Sequence, residues 1–371
     1  MKKGWRTETL GDTCEMYQPK TISGKDMVED GPYLVFGANG VIGRYDKYNH
    51  EDPQLLITCR GATCGSVNVS EPRSWITGNA MVVRSRNGAI DRRFLEYLFR
   101  GGLDVSTAIT GAAQPQITRT NLEPLEISYP NSLPEQHRIV HLLDEAFEGI
   151  ATAKANAEKN LQNARALFES HLLSVFSQRG KGWKMERIGN LTDLARGHNP
   201  PKSKFSHEAK PGYVRFYQIR DGASDAYTVY VPNTPQLHKM KPDDIMMVAY
   251  RHVGRVFRGV EGAFNVALCK ISNARRDLLD DDFLFHLMPS SFIKGELLKR
   301  SERSLIPSMS IEHLRELEIP LPPLKEQLVI VKRVNSLQQE THHLATLYTR
   351  KLAALEALKK SLLHRAFSGE L

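Results

Sequence analysis

The sequence predicts an α+β protein built from two pseudo-repeated mixed domains separated by two long helices that form an antiparallel coiled coil. Three observations predict it. Short sequence signatures recur in the same order in the two halves. The stretch that closes each half holds an unbroken coiled-coil spacing. The stretch that opens each half strings short β-rich runs between glycine turns.

The duplication is read first, because it decides how everything else is parsed. Lys3-Gly4-Trp5-Arg6-Thr7-Glu8-Thr9-Leu10-Gly11-Asp12 aligns with Lys181-Gly182-Trp183-Lys184-Met185-Glu186-Arg187-Ile188-Gly189-Asn190, with five identities in ten positions. Leu122-Glu123-Pro124-Leu125-Glu126-Ile127 then matches Leu314-Arg315-Glu316-Leu317-Glu318-Ile319. Glu135-Gln136 and Ile139-Val140 match Glu326-Gln327 and Ile330-Val331. Ala166-Leu167, Ser170, Leu172 and Phe176-Ser177 match Ala357-Leu358, Ser361, Leu363 and Phe367-Ser368. Chance supplies one such match, not four in order. The period is far longer than that of a solenoid repeat, so a whole domain-plus-helix unit is duplicated. The expected boundaries are a first mixed domain over 1–134, a first helix over 135–178, a second mixed domain over 179–325 and a second helix over 326–371.

Each helix follows from its spacing. After Pro134 no proline occurs until past Ser177, and Ile139, Leu143, Ala146, Ile150, Ala153 and Ala157 step by four and three. In the second copy Ile330, Val334, Leu337, Thr341, Leu344, Tyr348, Lys351, Leu355, Leu358 and Leu362 keep the step, with Thr341 and Lys351 as polar interruptions. Pro134 and Pro322-Pro323 stand where a helix can start but cannot extend backwards. A helix of about 40 residues is ~60 Å long, more than a globular domain needs, so one seam meets the other as a rigid spacer.

The mixed domains read as short strands at Tyr33–Phe36, Leu55–Thr58 and Ala80–Arg84 in the first copy, and at Val214–Ile219 and Asp244–Ala249 in the second. Gly37–Gly43 reads as a glycine-rich turn, and Phe94–Phe99 and Phe283–Leu287 as matching short helices. Between these landmarks the copies diverge, as expected of related modules that read different things.

Composition and charge exclude several classes. The 371 residues carry a net charge of +8, which favours polyanionic partners. No run of 18 apolar residues exists and the start lacks an apolar segment, so no membrane partner and a cytoplasmic location are expected. Cys59 and Cys64 make half a metal site at most, and no second Cys/His pair completes it. Asn199-Pro200-Pro201-Lys202 has lysine where adenine methyltransferases carry an aromatic that stacks on the flipped base. Glu208-Ala209-Lys210 has a nuclease-like spacing without its context, and there is no phosphate-binding Gly-rich loop ending in Lys-Ser/Thr. No catalytic and no metal residue is therefore expected.

What remains is a set of basic and polar residues in loops. Arginine pairs with guanine in the major groove, and lysine with phosphate. The expected DNA-binding residues are Lys20, Arg44, Arg60, Thr63 and Arg84 in the first copy and Lys202, Lys204, Arg220, Arg251, His252 and Arg255 in the second. Several follow strands in glycine-containing loops, as in Cys59–Thr63 and Tyr250–Arg255. The expected coiled-coil and partner-binding residues are Ile139, Leu143, Ile150, Ile330, Val334, Leu337, Leu344 and Leu355.

At this point the sequence resembles a family, the specificity (S) subunits of type I restriction–modification systems. The resemblance rests on Leu317–Gln327 before the second helix, on its copy Ile127–Gln136, on Gly-Trp at the head of each half, on Gln114-Pro115-Gln116-Ile117 and on the Leu363–Leu371 tail. Asn131-Ser132, where the second copy has Leu321-Pro322-Pro323, departs from the pattern and implies a slightly different start for the first helix. The resemblance implies two target-recognition domains, each reading half of a split asymmetric site on double-stranded DNA. It also implies helices that set the gap and dock methyltransferase subunits, two per chain, with restriction subunits as further partners. S-adenosylmethionine, ATP and Mg²⁺ would be needed only in those partners. The competing reading is a coiled-coil protein-interaction scaffold without DNA readout.

Overall fold

The computed structural model describes residues 4–111, 113–177, 182–222, 224–301 and 309–371, without the side chains of 298–301. Lys3 and Lys181 of the repeat signature, and the expected boundary at 178–179, lie outside the described residues.

The first copy runs β1 (Trp5–Thr9), α1 (Leu10–Thr13), β2 (Cys14–Tyr17), β3 (Tyr33–Gly37), β4 (Gly40–Tyr45), β5 (Leu55–Thr58), β6 (Val67–Val69), β7 (Trp75–Ile76), β8 (Ala80–Ser85), α2 (Arg92–Tyr97), α3 (Arg119–Leu122), β9 (Glu126–Pro130) and α4 (Leu133–Ser177). The second runs β10 (Lys184–Arg187), α5 (Ile188–Leu191), β11 (Thr192–Arg196), β12 (Tyr213–Tyr217), β13 (Val229–Pro232), β14 (Lys239–Met240), β15 (Ile245–Val248), β16 (Val256–Arg258), β17 (Gly262–Phe264), β18 (Leu268–Asn273), α6 (Asp281–Leu287), α7 (Ser291–Ser301), α8 (Ile311–Arg315), β19 (Glu318–Leu321) and α9 (Leu324–Ser368). The glycine-rich turn is shorter than its sequence implies. Only Ala38 and Asn39 turn the chain, and Gly40, Val41 and Gly43 pair with β3 in β4, with Ile42 bulged between the last two.

The copies share one topology, with one added strand, β14, in the second, although their sequences diverge. One sheet is ordered β2-β8-β5-β6 in the first copy and β11-β18-β15-β16 in the second. The other is β4-β3-β7 and β13-β12-β17-β14, with β3·β7 and β12·β17 the parallel pairs. A two-stranded ribbon, β1·β9 or β10·β19, joins the head of each copy to the entry of its long helix. The apolar runs of β5 and β15 are buried on both faces. Leu55 and Ile57 enter one core while Leu56 enters another against Phe36 and Ile76. Ile245 and Met247 divide from Met246 and Val248 in the same way. A strand buried on both faces has no polar alternation to display, which is why these segments read as continuous apolar runs.

The chain divides into two compact units, Met1–Glu158 with Arg350–Leu371, and Lys159–Thr349. The division falls inside both long helices. In the first unit Leu363, Ala366 and Phe367 of α9 share a core with Ile139, Val140 and Leu143 of α4, and Lys154 pairs with Glu356 at 2.7 Å. In the second, Leu172 and Phe176 of α4 share a core with Val331 and Val334 of α9. Within each unit the start of one helix therefore meets the end of the other, running antiparallel. The repeated Phe-Ser tail acquires its reason here. The Phe367 ring meets Phe94 of α2 at 5.2 Å, and Phe176 meets Phe283 of α6 at 5.6 Å, edge to face. Gly102 leaves room for this closure: a Cβ there would stand 2.3 Å from the Phe367 ring.

The repeated Glu-Gln pair is likewise structural. Gln136 and Gln327 are fully buried. Gln136 donates to Ala89 O and Pro130 O (3.0 and 2.9 Å) and accepts from Asp91 N (2.7 Å). Gln327 donates to Leu278 O and Pro322 O (both 2.8 Å) and accepts from Asp280 N (2.8 Å). Asp91 and Asp280 in turn cap α2 and α6 through their side chains. One satisfied amide thus fastens the short helix, the ribbon and the long helix together.

A second brace differs between the copies. Tyr97 of α2 donates to Asp144 of α4, with Arg93 beside it at 2.5 Å. In the equivalent place His286 pairs with Asn335 at 2.6 Å. Burial and the Asp144 carboxylate push the Tyr97 phenol up to about 12. Burial holds the His286 imidazole below its ordinary value.

Two outcomes are expected. Phe367→Ala removes a core aromatic of the first unit and costs about 3–5 kcal/mol there, so hydrogen exchange quickens at α2 while α6 keeps its protection; Phe176→Ala does the converse. His286 is neutral when folded and binds protons more readily when unfolded. Its contribution is complete above about pH 6.5 and is lost as pH falls toward its depressed folded value. Denaturation followed from pH 7.5 to 5.5 should show this loss, and His286→Gln should flatten it; an unchanged slope in that variant would assign the pH response elsewhere.

Candidate nucleic-acid interface

In each unit one turn collects the loops that carry the expected DNA-binding residues. In the first unit it is Thr77–Asn79, between β7 and β8. Thr77 N donates to Phe36 O at the end of β3 (2.9 Å), and Cys59 N at the end of β5 donates to Asn79 O (3.4 Å). Gln18 donates to Gly78 O (3.0 Å) and Gly78 N to Thr21 Oγ1 (3.1 Å), which fixes the loop holding Lys20. A further segment joins when Ile117 N donates to Cys59 O (2.9 Å) and Gln116 bridges Arg60.

The second unit repeats the arrangement with Asn265–Ala267. Asn265 N donates to Tyr217 O (3.1 Å), Ala249 N to Ala267 O (2.9 Å) and Met309 N to Ala249 O (3.0 Å). His198 N donates to Phe264 O (3.2 Å) and Val266 N to Asn199 Oδ1 (3.1 Å), so the chain leading to Lys202 and Lys204 leaves from the same turn. The loops after β5 and β15 are homologous atom for atom at their base. Gly65 N donates to Thr58 O and Thr58 N to Ser66 O; Gly254 N donates to Val248 O and Val248 N to Arg255 O.

The expected residues divide on this frame. Lys20, Arg60 and Thr63 lie exposed in the gathered loops of the first unit. The Thr63 hydroxyl donates to Asn39 Oδ1 (2.6 Å), tying the β3–β4 turn to the β5–β6 loop. Arg44 and Arg84 are engaged otherwise: Arg44 donates to Gly31 O (2.9 Å), and Arg84 pairs with Glu15 (2.7 Å) over the Tyr17 ring. In the second unit Lys202, Lys204, Arg220, Arg251, His252 and Arg255 are all exposed. Arg220 lies over the Tyr227 ring, with Asp221 at 3.8 Å.

Of the helix positions, Ile139, Leu143, Ile150 and Val334 are buried. Ile330, Leu337 and Leu355 are half-buried and Leu344 is exposed.

Arg251 is the most informative of these residues. Its φ is +64°, in the left-handed region that charges a side chain about 1–2 kcal/mol. Counted from the shared hydrogen bonds at the loop base, its counterpart is Gly61, which holds φ +88°. The second copy thus keeps an arginine where the first has the residue that this backbone favours. No carboxylate pairs with it among the described residues; its guanidinium stands 5.7 Å from the Tyr250 ring centroid. Positive φ in a residue other than glycine costs free energy, and such positions cluster at functional sites.

Asn39, bonded to Thr63, and Gln116, bridged to Arg60, are exposed, as is Gln114, and they extend the expected set. Amide side chains can make paired contacts to adenine. Their signal in the sequence was an amide next to turn-forming Gly or Pro, Asn39-Gly40 and Gln114-Pro115-Gln116, and it lacks charge to draw notice.

The sequence matches the type I restriction modification DNA specificity domain over residues 2–162 and again over 180–351. The chain belongs to that family of specificity subunits. The EcoDI specificity subunit of Escherichia coli is 23% identical over 99% of this chain and 88% of its own. The MjaVIII specificity subunit of Methanocaldococcus jannaschii is 22% identical over 99% of this chain and 93% of its own. The HsdS subunit from Thermoanaerobacter tengcongensis has a similar fold, with TM-score 0.64 at 19% identity, covering 100% of this chain and 98% of that one. A chain from a study of complex assembly and conformational transition of the type I R-M system is similar at TM-score 0.82 and 19% identity, over 100% and 99% of the two chains. Both family matches begin at a Gly-Trp head and run into a long helix, so the family's repeated domain coincides with the duplication in this specificity subunit.

If Arg251 serves a ligand and not the fold, Arg251→Gly leaves the denaturation midpoint unchanged or raises stability by up to about 1 kcal/mol, whereas Arg251→Val lowers it by about 1–2 kcal/mol. A loss beyond 1 kcal/mol in the glycine variant would make Arg251 a structural residue.

Proposed function

We propose that this specificity subunit reads a split, asymmetric site on double-stranded DNA, one half with each unit, and is itself non-catalytic. The observation that carries the reading is one frame with two side-chain sets. The same turn gathers the same loops in both units. Yet the first presents Asn39, Arg60, Thr63 and Gln116, while the second presents Arg220 and Arg251. Equal frames with unequal donors suit two different half-sites, because base identity is read by the donor and acceptor pattern in the groove.

Methyltransferase subunits, two per chain, and restriction subunits are the proposed partners in the cytoplasm. They would hold the S-adenosylmethionine, ATP and Mg²⁺, and the paired helices over 135–178 and 326–371 would set the gap between half-sites. The exposed leucines of the helices support twofold recruitment. Leu133 and Leu324, and Leu167 and Leu358, are repeat-equivalent and all exposed. Apolar surface repeated in this way fits two copies of one partner.

Arg60→Ala and Arg251→Ala test the reading with the chain and its methyltransferase partner on target and half-mutated duplexes. Each variant should lose about 5- to 150-fold of discrimination in one half-site only, the worth of one bidentate base contact. Equal weakening on every duplex would place both arginines on phosphates instead.

A further inference from the structure

The loop that carries Arg251 also forms one wall of a cleft in the second unit. The cleft has a volume of about 460 Å³, and among the described residues its lining includes His252, Gly254, Arg255, Pro289 and Lys294 but no carboxylate. Arg255 and Lys294 have no carboxylate partner among the described residues. Gly254 brings them together: its φ is +87°, and a Cβ there would stand 3.1 Å from Lys294 Cγ, so the lysine stem lies across the loop backbone. Val253, Val256 and Pro289 supply apolar walls, which weaken solvent screening. Two cations in one open cleft repel unless an anion joins them.

The first unit has a cleft of about 570 Å³ at the equivalent place, where one carboxylate, Glu96, faces two cations, Arg100 and Lys359, and Lys359 lies over the Phe147 ring. Ser66 stands where the second copy has Arg255, and Arg100 is neutralised by Glu96 at 2.9 Å. Among the described residues, the cleft of the second copy therefore holds two cations with no carboxylate in its lining, whereas Glu96 offsets one of the two in the first.

We propose that this cleft holds a phosphodiester of the DNA backbone beside the bases met by Arg251, with Lys294 and Arg255 as its cations and His252 as a further donor. The second unit then carries more of the salt-sensitive part of DNA binding than the first. This rests on the DNA-reading function proposed above. The ligand class follows from the chemistry: a compact anion for two cations, in a cleft open to solvent, four residues along one loop from an unpaired arginine suited to guanine.

The test is the salt dependence of duplex binding by the full chain, measured by fluorescence anisotropy, for the wild type, Lys294→Gln/Arg255→Gln and Arg100→Gln, with thermal melts confirming folding. Each phosphate contact contributes about 0.9 to the slope of log K against log salt. The double variant should lose about one from the slope, equally on target and random duplexes, and Arg100→Gln should lose nothing. Wild-type binding with an unchanged slope in the double variant overturns the cleft and leaves DNA reading standing. If the wild type binds no duplex, calorimetry with inorganic phosphate decides the rest. Uptake by the wild type and not by the double variant makes the cleft a site for free phosphate and overturns the DNA assignment; no uptake overturns the anion site altogether.

Discussion

The structure depends on an exchange of helix ends. Each copy builds its sheets and then launches a long helix, but its core is closed by a phenylalanine from the last turns of the other copy's helix: Phe367 against Phe94, and Phe176 against Phe283. A domain that leaned only on its own helix could change its angle to that helix as loops evolved. A domain clasped by the start of one helix and the end of the other is held at two places. The buried amides of Gln136 and Gln327 complete the clasp by tying ribbon, short helix and long helix with three hydrogen bonds each. The cost of breaking such a bond is the unpaired buried group left behind, which makes the junction stiff.

On that rigid base the loops are free to differ. The turns Thr77–Asn79 and Asn265–Ala267 hold the loop bases by backbone hydrogen bonds, which do not depend on side-chain identity. Side chains at the tips can then change without disturbing the frame. The left-handed position after β5 or β15 shows how far this goes, with glycine in one copy and arginine in the other. The braces show a gentler exchange, Tyr97–Asp144 against His286–Asn335, in which the hydrogen bond persists and its charge does not.

Much of the architecture was legible in the residues. The ordered repeats announced the duplication, and the four-three spacing from Ile139 and Ile330 announced the helices. The apolar runs at Leu55 and Ile245 were seen as strands because burial on both faces leaves no other pattern. The ribbons β1·β9 and β10·β19 were not seen, because their short mixed segments pair across more than a hundred residues and that pairing leaves no local trace. The meaning of Glu-Gln was hidden for the same reason: a glutamine beside a charged residue looks like helix surface until the carbonyls of Ala89 and Pro130 are placed around it. The candidate site was legible in part. Charge drew attention to Arg60 and Arg251, which lie exposed in the gathered loops. It drew attention equally to Arg44 and Arg84, whose partners lie elsewhere in the fold. Nothing charged marked Asn39 or Gln116.

The central claim is that the two units read two separate half-sites. Methylation mapping in cells that carry this chain with its methyltransferase tests it most directly. The account predicts one bipartite motif, two short and different specified halves around a gap of fixed length. A continuous motif, or no motif at all, would contradict it and leave the duplicated frame to a function other than reading DNA.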